Sequence, residues 1–279
     1  MTVRTIGIVG LGLIGGSIAL RAKAANSGIH VIGMSRSEAT LSEALSRGVV
    51  DRVAANFSDF EGADIIFVCT PIPVVLETLI ALDSAIVGPT ILTDVASLKG
   101  ALAEAAGQRK WRHPVVLGHP MAGKETSGLA SADAELLVGK TYILIDDTTG
   151  LTGVLTGWGC HVLGLTATEH DHLVGYASHL PYLASVLATG IANAAVADIP
   201  LFSKIVASGF KDTTRVSASD PEWGADVLMG NRDTVLAGIE SAKRLLAEIE
   251  DTIRAGDHAR LVAILSEIKA FRTGLYSPK

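Results

Sequence analysis

Cysteine is nearly missing from this chain: Cys69 and Cys160 are the only two among 279 residues. They lie far apart and neither belongs to a C-x-x-C, so no disulfide framework is expected. A reducing cytoplasm is the expected setting. Charge is scarce as well. Asp, Glu, Lys and Arg supply 19% of the residues against 48% hydrophobic ones, a balance that excludes an intrinsically disordered chain. What charge there is sums to −6, which argues against nucleic acid or an anionic membrane surface as partner. No apolar run in the sequence reaches the length of a membrane span. The uncharged stretch Thr5 to Leu20 lacks a basic n-region and is broken by glycines, so it does not read as a signal peptide. Metal-ligand spacing is missing too. His170 and His172 would project about 200° apart on a helix, and no other set has zinc-like spacing, so no metal is expected.

Glycine, by contrast, is abundant at 29 residues, and three of them stand in a pattern. Ile6 to Val9 is a short β-branched run that reads as a buried strand. Gly10, Gly12 and Gly15 follow in G-x-G-x-x-G spacing, and Ser17 to Ala25 continues as a helix. The first glycine permits a tight turn, the second lets backbone approach a pyrophosphate, and the third lets helix pack on strand. Leu13 and Ile14 sit at the helix opening, where unpaired N–H groups and the dipole favour an anion. A strand before and a helix after are the context that this dinucleotide motif requires.

The second strand, His30 to Met34, bears on the choice of dinucleotide. Its end is the place for an acidic residue on the ribose 2′-hydroxyl when the cofactor is NAD. Ser35, Arg36 and Ser37 stand there instead. Two hydroxyls and a guanidinium suit a 2′-phosphate, so NADP is the expected cofactor.

Further along, a helix is expected over Glu38 to Arg47, an extended piece over Val49 to Phe57, and a strong strand over Asp64 to Thr70. Strands follow at Thr90 to Val95, Val115 to Gly118, Tyr142 to Ile145 and Cys160 to Leu165; the first of them leads into Ala96-Ser97-Leu98-Lys99 and a helix to Gln108. Strands alternating with helices predict an α/β domain with a Rossmann-type, doubly wound parallel sheet. From Thr166 the strand signals stop. Thr168 to Ala195, Leu201 to Val206, Pro221 to Gly230 and Arg232 to Leu275 carry helical periodicity. Residues 1–165 are therefore expected to bind nucleotide and 166–279 to form an all-helical domain. Leu236, Ile239, Leu245, Leu246 and Ile249 mark an apolar face on a helix over Arg232 to Arg254.

Groups fit for chemistry gather at strand ends. Thr70 ends a strand beside a helix start, where open α/β sheets bind ligands; an ordinary cap is the competing reading. His119, between Gly118 and Pro120, has the residue type to take a proton from a hydroxyl near neutral pH. His179 precedes Leu180-Pro181 at an expected helix kink. Lys211, Asp212 and Arg215 form a charged cluster, with Arg215 suited to a substrate carboxylate.

Four segments together resemble the prephenate and arogenate dehydrogenases. They are Asp94-Val95-Ala96-Ser97-Leu98-Lys99, Gly118-His119-Pro120-Met121-Ala122-Gly123-Lys124-Glu125-Thr126-Ser127-Gly128, Ser178-His179-Leu180-Pro181, and Phe210-Lys211-Asp212-Thr213-Thr214-Arg215 followed by Ser219-Asp220-Pro221-Glu222-Trp223. The turn at Ser35-Arg36 is most similar to the NADP-dependent arogenate dehydrogenases of cyanobacterial type. The resemblance implies that His119 accepts the proton of the ring hydroxyl and that Ser97 shares that hydroxyl beside the nicotinamide. It implies Arg215 on a substrate carboxylate and His179 in the same pocket. Glu125, Asp212 and Trp223 would shape or gate that pocket. It implies a homodimer through the helical domain, acting on arogenate to give tyrosine, or on prephenate. Lys211 departs from several relatives, which carry Arg there. Two other readings stand beside this one. A β-hydroxyacid dehydrogenase would need a lysine on the first helix of the second domain, and Thr168 to Leu187 holds none. A non-catalytic NADP sensor would have no need of His119 and Arg215 together.

Overall fold

The structure, a computed structural model, describes residues 2–196 and 198–277. Eight strands form one sheet: β1 (Thr5–Val9), β2 (His30–Met34), β3 (Arg52–Val53), β4 (Ile65–Val68), β5 (Ile91–Asp94), β6 (Val115–Pro120), β7 (Thr141–Ile145) and β8 (His161–Leu165). Their order is β3-β2-β1-β4-β5-β6-β7-β8. The chain winds outward from β1 in both directions, so a crevice opens at the carboxyl ends of β1 and β4. Ile6, Ile8, Ile65, Ile66, Phe67 and Val68 are fully buried, as strands covered on both faces must be. One core layer contains Ile18, Phe67, Tyr142 and Trp158, and another contains Phe60, Ile66, Leu79 and Leu82.

The sheet is not parallel throughout. β6 pairs antiparallel with β7, with His119 opposite Ile143. A parallel return needs a crossover long enough to hold a helix. The link between β6 and β7 contains one short 3₁₀ turn, Leu129–Ser131, so the strand comes straight back. This ladder also extends β6 through His119 to Pro120, beyond the expected end at Gly118.

The helices of the sheet region are α1 (Leu13–Ala25), α2 (Glu38–Ser46), α3 (Val75–Ala85), α4 (Gly100–Gly107) and α5 (Leu151–Gly157). Beyond β8 come α6 (Ala167–Val174), α7 (Leu180–Val196), α8 (Phe202–Ile205), α9 (Ser208–Thr214), α10 (Pro221–Gly230), α11 (Arg232–Ala255) and α12 (His258–Leu275). A π turn, Gly175–His179, joins α6 to α7. Pro181 lacks an N–H, so the ladder widens just before it. The result is a continuous helix over Ala167–Val196, long and apolar enough by length and composition to cross a membrane. From the sequence, no apolar run of that length is expected. The composition of the helix, apolar on average rather than in an unbroken run, makes the difference.

By packing, residues 1–231 form one compact unit and 232–279 a second. Helices α6 to α10 therefore belong with the sheet. In the second unit Gly256, at φ +66, ends α11, and Asp257 accepts from Arg260 N at 2.9 Å to start α12. Of the apolar face expected on α11, Leu236, Leu245 and Leu246 are exposed.

Candidate active site

The glycine turn after β1 has the stereochemistry its spacing predicts. Gly10 takes φ +102, and a Cβ there would run into the Cys69 carbonyl. A Cβ on Gly15 would strike the Gly10 carbonyl, whereas one on Gly12 would meet nothing within 4 Å. Backbone at Gly12 is thus open to close approach, and α1 begins there without a side-chain cap. Leu13 and Ile14 are the first two residues of α1, so their N–H groups have no partner within the helix. Across the turn, Thr70 Oγ1 is buried with no hydrogen-bond partner, so the cap reading of Thr70 is not realised. An uncapped helix start, an open glycine and an unpartnered hydroxyl suit a dinucleotide pyrophosphate. At the end of β2, Ser35 Oγ accepts from Ser37 N at 3.2 Å, and Ser37 Oγ caps α2 by accepting from Thr40 N at 3.2 Å. Ser37 therefore keeps its O–H but has an acceptor site engaged. Arg36 is exposed and makes no hydrogen bond or ion pair among the described residues.

A buried loop connects β5 to α4. Asp94 Oδ1 accepts from Gly118 N at 3.0 Å, and its Oδ2 from Ala96 N at 2.8 Å and from Lys99 Nζ at 2.6 Å. Lys99 Nζ also donates to the carbonyls of Ala96 and Leu98. These bonds are the physical reason that residues 95–99 form a loop ahead of α4. Ser97 stands on that loop and accepts from Trp223 Nε1 at 3.3 Å. Trp223 packs edge-on against Tyr182, with ring centroids 5.4 Å apart.

His119 is 8% exposed at the end of β6. Its Nδ1 lies 2.8 Å from His170 Nε2, and His170 Nδ1 lies 2.7 Å from Asp171 Oδ1. Asp171 in turn accepts from the backbone N–H of Lys99 at 2.8 Å and of Gly100 at 2.7 Å. Burial raises the Asp171 pKa, but the bonds from His170, Gly100 and Lys99 outweigh it, and the carboxyl is held below its ordinary value. Burial drives His119 well below 6.5, and nearby Lys99, His170 and His179 push it further the same way. His119 is therefore a neutral imidazole near neutral pH.

His179, fully buried on the π turn, has Nδ1 3.2 Å from Asn231 Nδ2. The same amide nitrogen donates to the Asp171 carbonyl at 2.6 Å, which identifies it as the NH₂ end. His179 Nδ1 is thus an acceptor, and its Nε2 carries the hydrogen, buried with no partner. Burial lowers the His179 pKa to about 4, against the opposing pull of Asp171 and with a further push from His170.

Arg215 Nη1 lies 3.1 Å from Glu125 Oε2, and both side chains are about half exposed. Lys124 pairs with Asp133 at 3.1 Å. Asp212 is exposed and makes no hydrogen bond or ion pair among the described residues, nor does a hydrogen bond join Ser97 to His119. The expected site residues thus fall into three bonded groups: His119 and His179 through His170, Asp171 and Asn231; Ser97 with Trp223; and Arg215 with Glu125. Sequence reasoning weighed His170 and Asp171 only for metal binding, and it did not foresee their link to His119, the Asp94–Lys99 pair or Asn231. The capping box at Thr166 and Glu169 was a legible signal for the start of α6, which places His170 and Asp171 in its first turns. Asn231 has no comparable signal.

A doubly wound sheet with an open glycine turn after β1 and a buried neutral imidazole at the end of β6 fits an NAD(P)-dependent dehydrogenase. Residues 18–155 match the family model "Prephenate dehydrogenase, nucleotide-binding domain", and residues 166–267 match "Prephenate dehydrogenase, dimerization domain". The chain belongs to the prephenate dehydrogenase family. It is similar to the prephenate dehydrogenase of Lactococcus lactis, at 32% identity over 96% of this chain and 76% of the relative. Among solved structures it resembles Synechocystis arogenate dehydrogenase, with TM-score 0.79, 31% identity, and 97% and 99% of the two chains covered. It also resembles a prephenate dehydrogenase from A. aeolicus in complex with hydroxyphenyl propionate and NAD⁺ (TM-score 0.85, 26% identity, 99% of each chain covered).

Proposed function

We propose that this protein is an NADP-dependent arogenate dehydrogenase that oxidatively decarboxylates arogenate to tyrosine. The reaction class follows from the family. The finer reading is carried by one observation: an exposed, unpartnered Arg36 flanked by two hydroxyls stands where an NAD-binding chain would hold a carboxylate. Gly10, Gly12, Leu13, Ile14, Gly15 and Thr70 would hold the pyrophosphate side, with Ser35, Arg36 and Ser37 on the 2′-phosphate. When bound, NADP⁺ supplies the hydride acceptor.

His119 takes the proton from the C4 hydroxyl of the cyclohexadiene ring, as its neutral state allows. Ser97 hydrogen-bonds the same oxygen. CO₂ leaves as the ring becomes aromatic, so the protein mainly orients the ring and withdraws one proton. Arg215 holds a substrate carboxylate and His179 donates from Nε2 within the pocket, while Glu125, Asp212 and Trp223 shape its entrance. Arogenate carries net charge of about −1 and prephenate about −2 near neutrality. A carboxylate at the substrate's side chain meets the ammonium of the first and repels the second carboxylate of the other.

The protein is proposed to act as a cytoplasmic homodimer, without nucleic acid or membrane partners. The dimerization-domain match supports this, as do the exposed apolar residues Leu187, Ile191, Leu201 and Ile205. Prephenate is the second reading. It is favoured by the Arg215–Glu125 contact, which leaves Asp212 as the unpaired carboxylate of the two. The test compares kcat/KM for arogenate and prephenate, each with NADP⁺ and NAD⁺. The reading expects arogenate with NADP⁺ to be the best of the four pairs. A ratio at or above one for prephenate replaces the substrate, and one at or above one for NAD⁺ replaces the cofactor.

A further inference from the structure

We propose that His170 and Asp171 are a positioning pair that holds the proton of His119 on Nδ1, leaves Nε2 bare, and receives the reaction's proton at His170. The inference rests on the reading of His119 as the proton acceptor. Asp171 is the fixed point. Two backbone N–H groups and His170 Nδ1 all lie within 2.8 Å of its oxygens, so it is a carboxylate that accepts on every side. His170 must then donate from Nδ1. A neutral His170 consequently offers a lone pair at Nε2, and the 2.8 Å contact requires His119 to donate from Nδ1. The remaining nitrogen of His119, Nε2, is the acceptor left for substrate.

Charge favours moving the proton onward. The groups around His119 are Lys99, His170 and His179, and each of them, when charged, disfavours a positive charge on His119. His170 touches a carboxylate instead. As the substrate O–H bond breaks and an N–H bond forms at His119 Nε2, the Nδ1–H bond of His119 breaks and its proton joins His170 Nε2. His119 ends neutral with its hydrogen on Nε2, and His170 ends as an imidazolium against Asp171. One proton enters the pair and one positive charge remains on it, so the step balances without any further reactant. Asp171 keeps its place because its other bonds come from the backbone of Lys99, on the loop that carries Ser97, and of Gly100, the first residue of α4.

The first test needs no turnover: ¹⁵N spectra of the histidine-labelled full-length protein, with His119 assigned by its loss in His119→Asn. The proposal expects hydrogen on Nδ1 and a bare Nε2 in the wild type. Hydrogen on Nε2 in the resting protein overturns it. Asp171→Asn, whose amide can donate to His170, should reverse both tautomers, as an Asn does when it replaces the Asp behind a catalytic histidine; an unchanged His119 tautomer overturns the proposal. Should that variant not fold, the wild-type spectrum still decides, and His170→Gln supplies the second arm. Glutamine can accept from His119 Nδ1 but cannot take up a proton. We expect single-turnover oxidation to slow by about 10²-fold, with substrate affinity close to wild type. A rate near wild type overturns the relay. If the wild type oxidises neither arogenate nor prephenate, the functional reading fails while the spectra still judge the pairing.

Discussion

Lys99 Nζ lies 2.6 Å from Asp94 Oδ2, and neither side chain is exposed at all. The pair binds the end of β5 to the loop carrying Ser97, and through Gly118 N to the residue before His119. Burial lowers the lysine pKa, and Asp94 acts against that fall. Lys99→Met would leave a buried carboxylate without its cation, a loss worth roughly 3–5 kcal/mol. The urea midpoint should fall accordingly. A variant as stable as wild type would show that the ion pair does not hold this corner together.

Cofactor choice is tested at the end of β2. Ser35→Asp combined with Arg36→Ala places a carboxylate where the 2′-phosphate is proposed to sit. Like charges in contact cost several kcal/mol, so kcat/KM with NADP⁺ should fall by about 10²-fold or more while NAD⁺ is spared. Equal use of both cofactors by the wild type would contradict the assignment.

Stability should depend on pH through two buried histidines. His179 is held down to about 4 and His119 well below 6.5, both chiefly by burial. Histidines of the unfolded chain titrate near about 6.5. Below that value the unfolded chain binds protons that the native protein refuses, so stability falls on acidification from about pH 6.5 toward 4. Each histidine adds a slope of up to about 1.4 kcal/mol per pH unit. Above pH 6.5 the contribution is fully retained. Urea midpoints at pH 7 and pH 5 measure this, and a midpoint that rises at pH 5 would contradict it.

Arg215 should matter for binding rather than for folding. Its contact with Glu125 is about half exposed and screened, so Arg215→Leu should leave the unfolding midpoint nearly unchanged. Losing a charge-assisted bond to a substrate carboxylate should raise KM by roughly 10–10²-fold. An unchanged KM would remove Arg215 from the pocket.

Much of this molecule is legible in its sequence because the strongest signals are local. The glycine turn, the β-branched strands and the proline-marked stops each depend on neighbours in the chain. The antiparallel β7 is not, since the feature that dictates it is a missing crossover helix between Met121 and Lys140. The site divides the same way. His119 and the Ser35-Arg36-Ser37 turn stand at strand ends that sequence can locate. His170 and Asp171 reach His119 and the Lys99–Gly100 backbone across 51 and about 70 residues of chain, so only folding reveals them. Leu236, Leu245 and Leu246 of α11 follow a helical period yet are exposed, because periodicity alone does not tell a buried face from an open one.

The measurement closest to the central claim is single-turnover reduction of NADP⁺ by arogenate in wild type and in His119→Asn, with substrate affinity measured alongside. If His119 is the proton acceptor, the variant should bind arogenate nearly as well and turn it over roughly 10²–10⁴-fold more slowly, the usual contribution of a positioned base. A variant that keeps near-normal turnover would contradict the account.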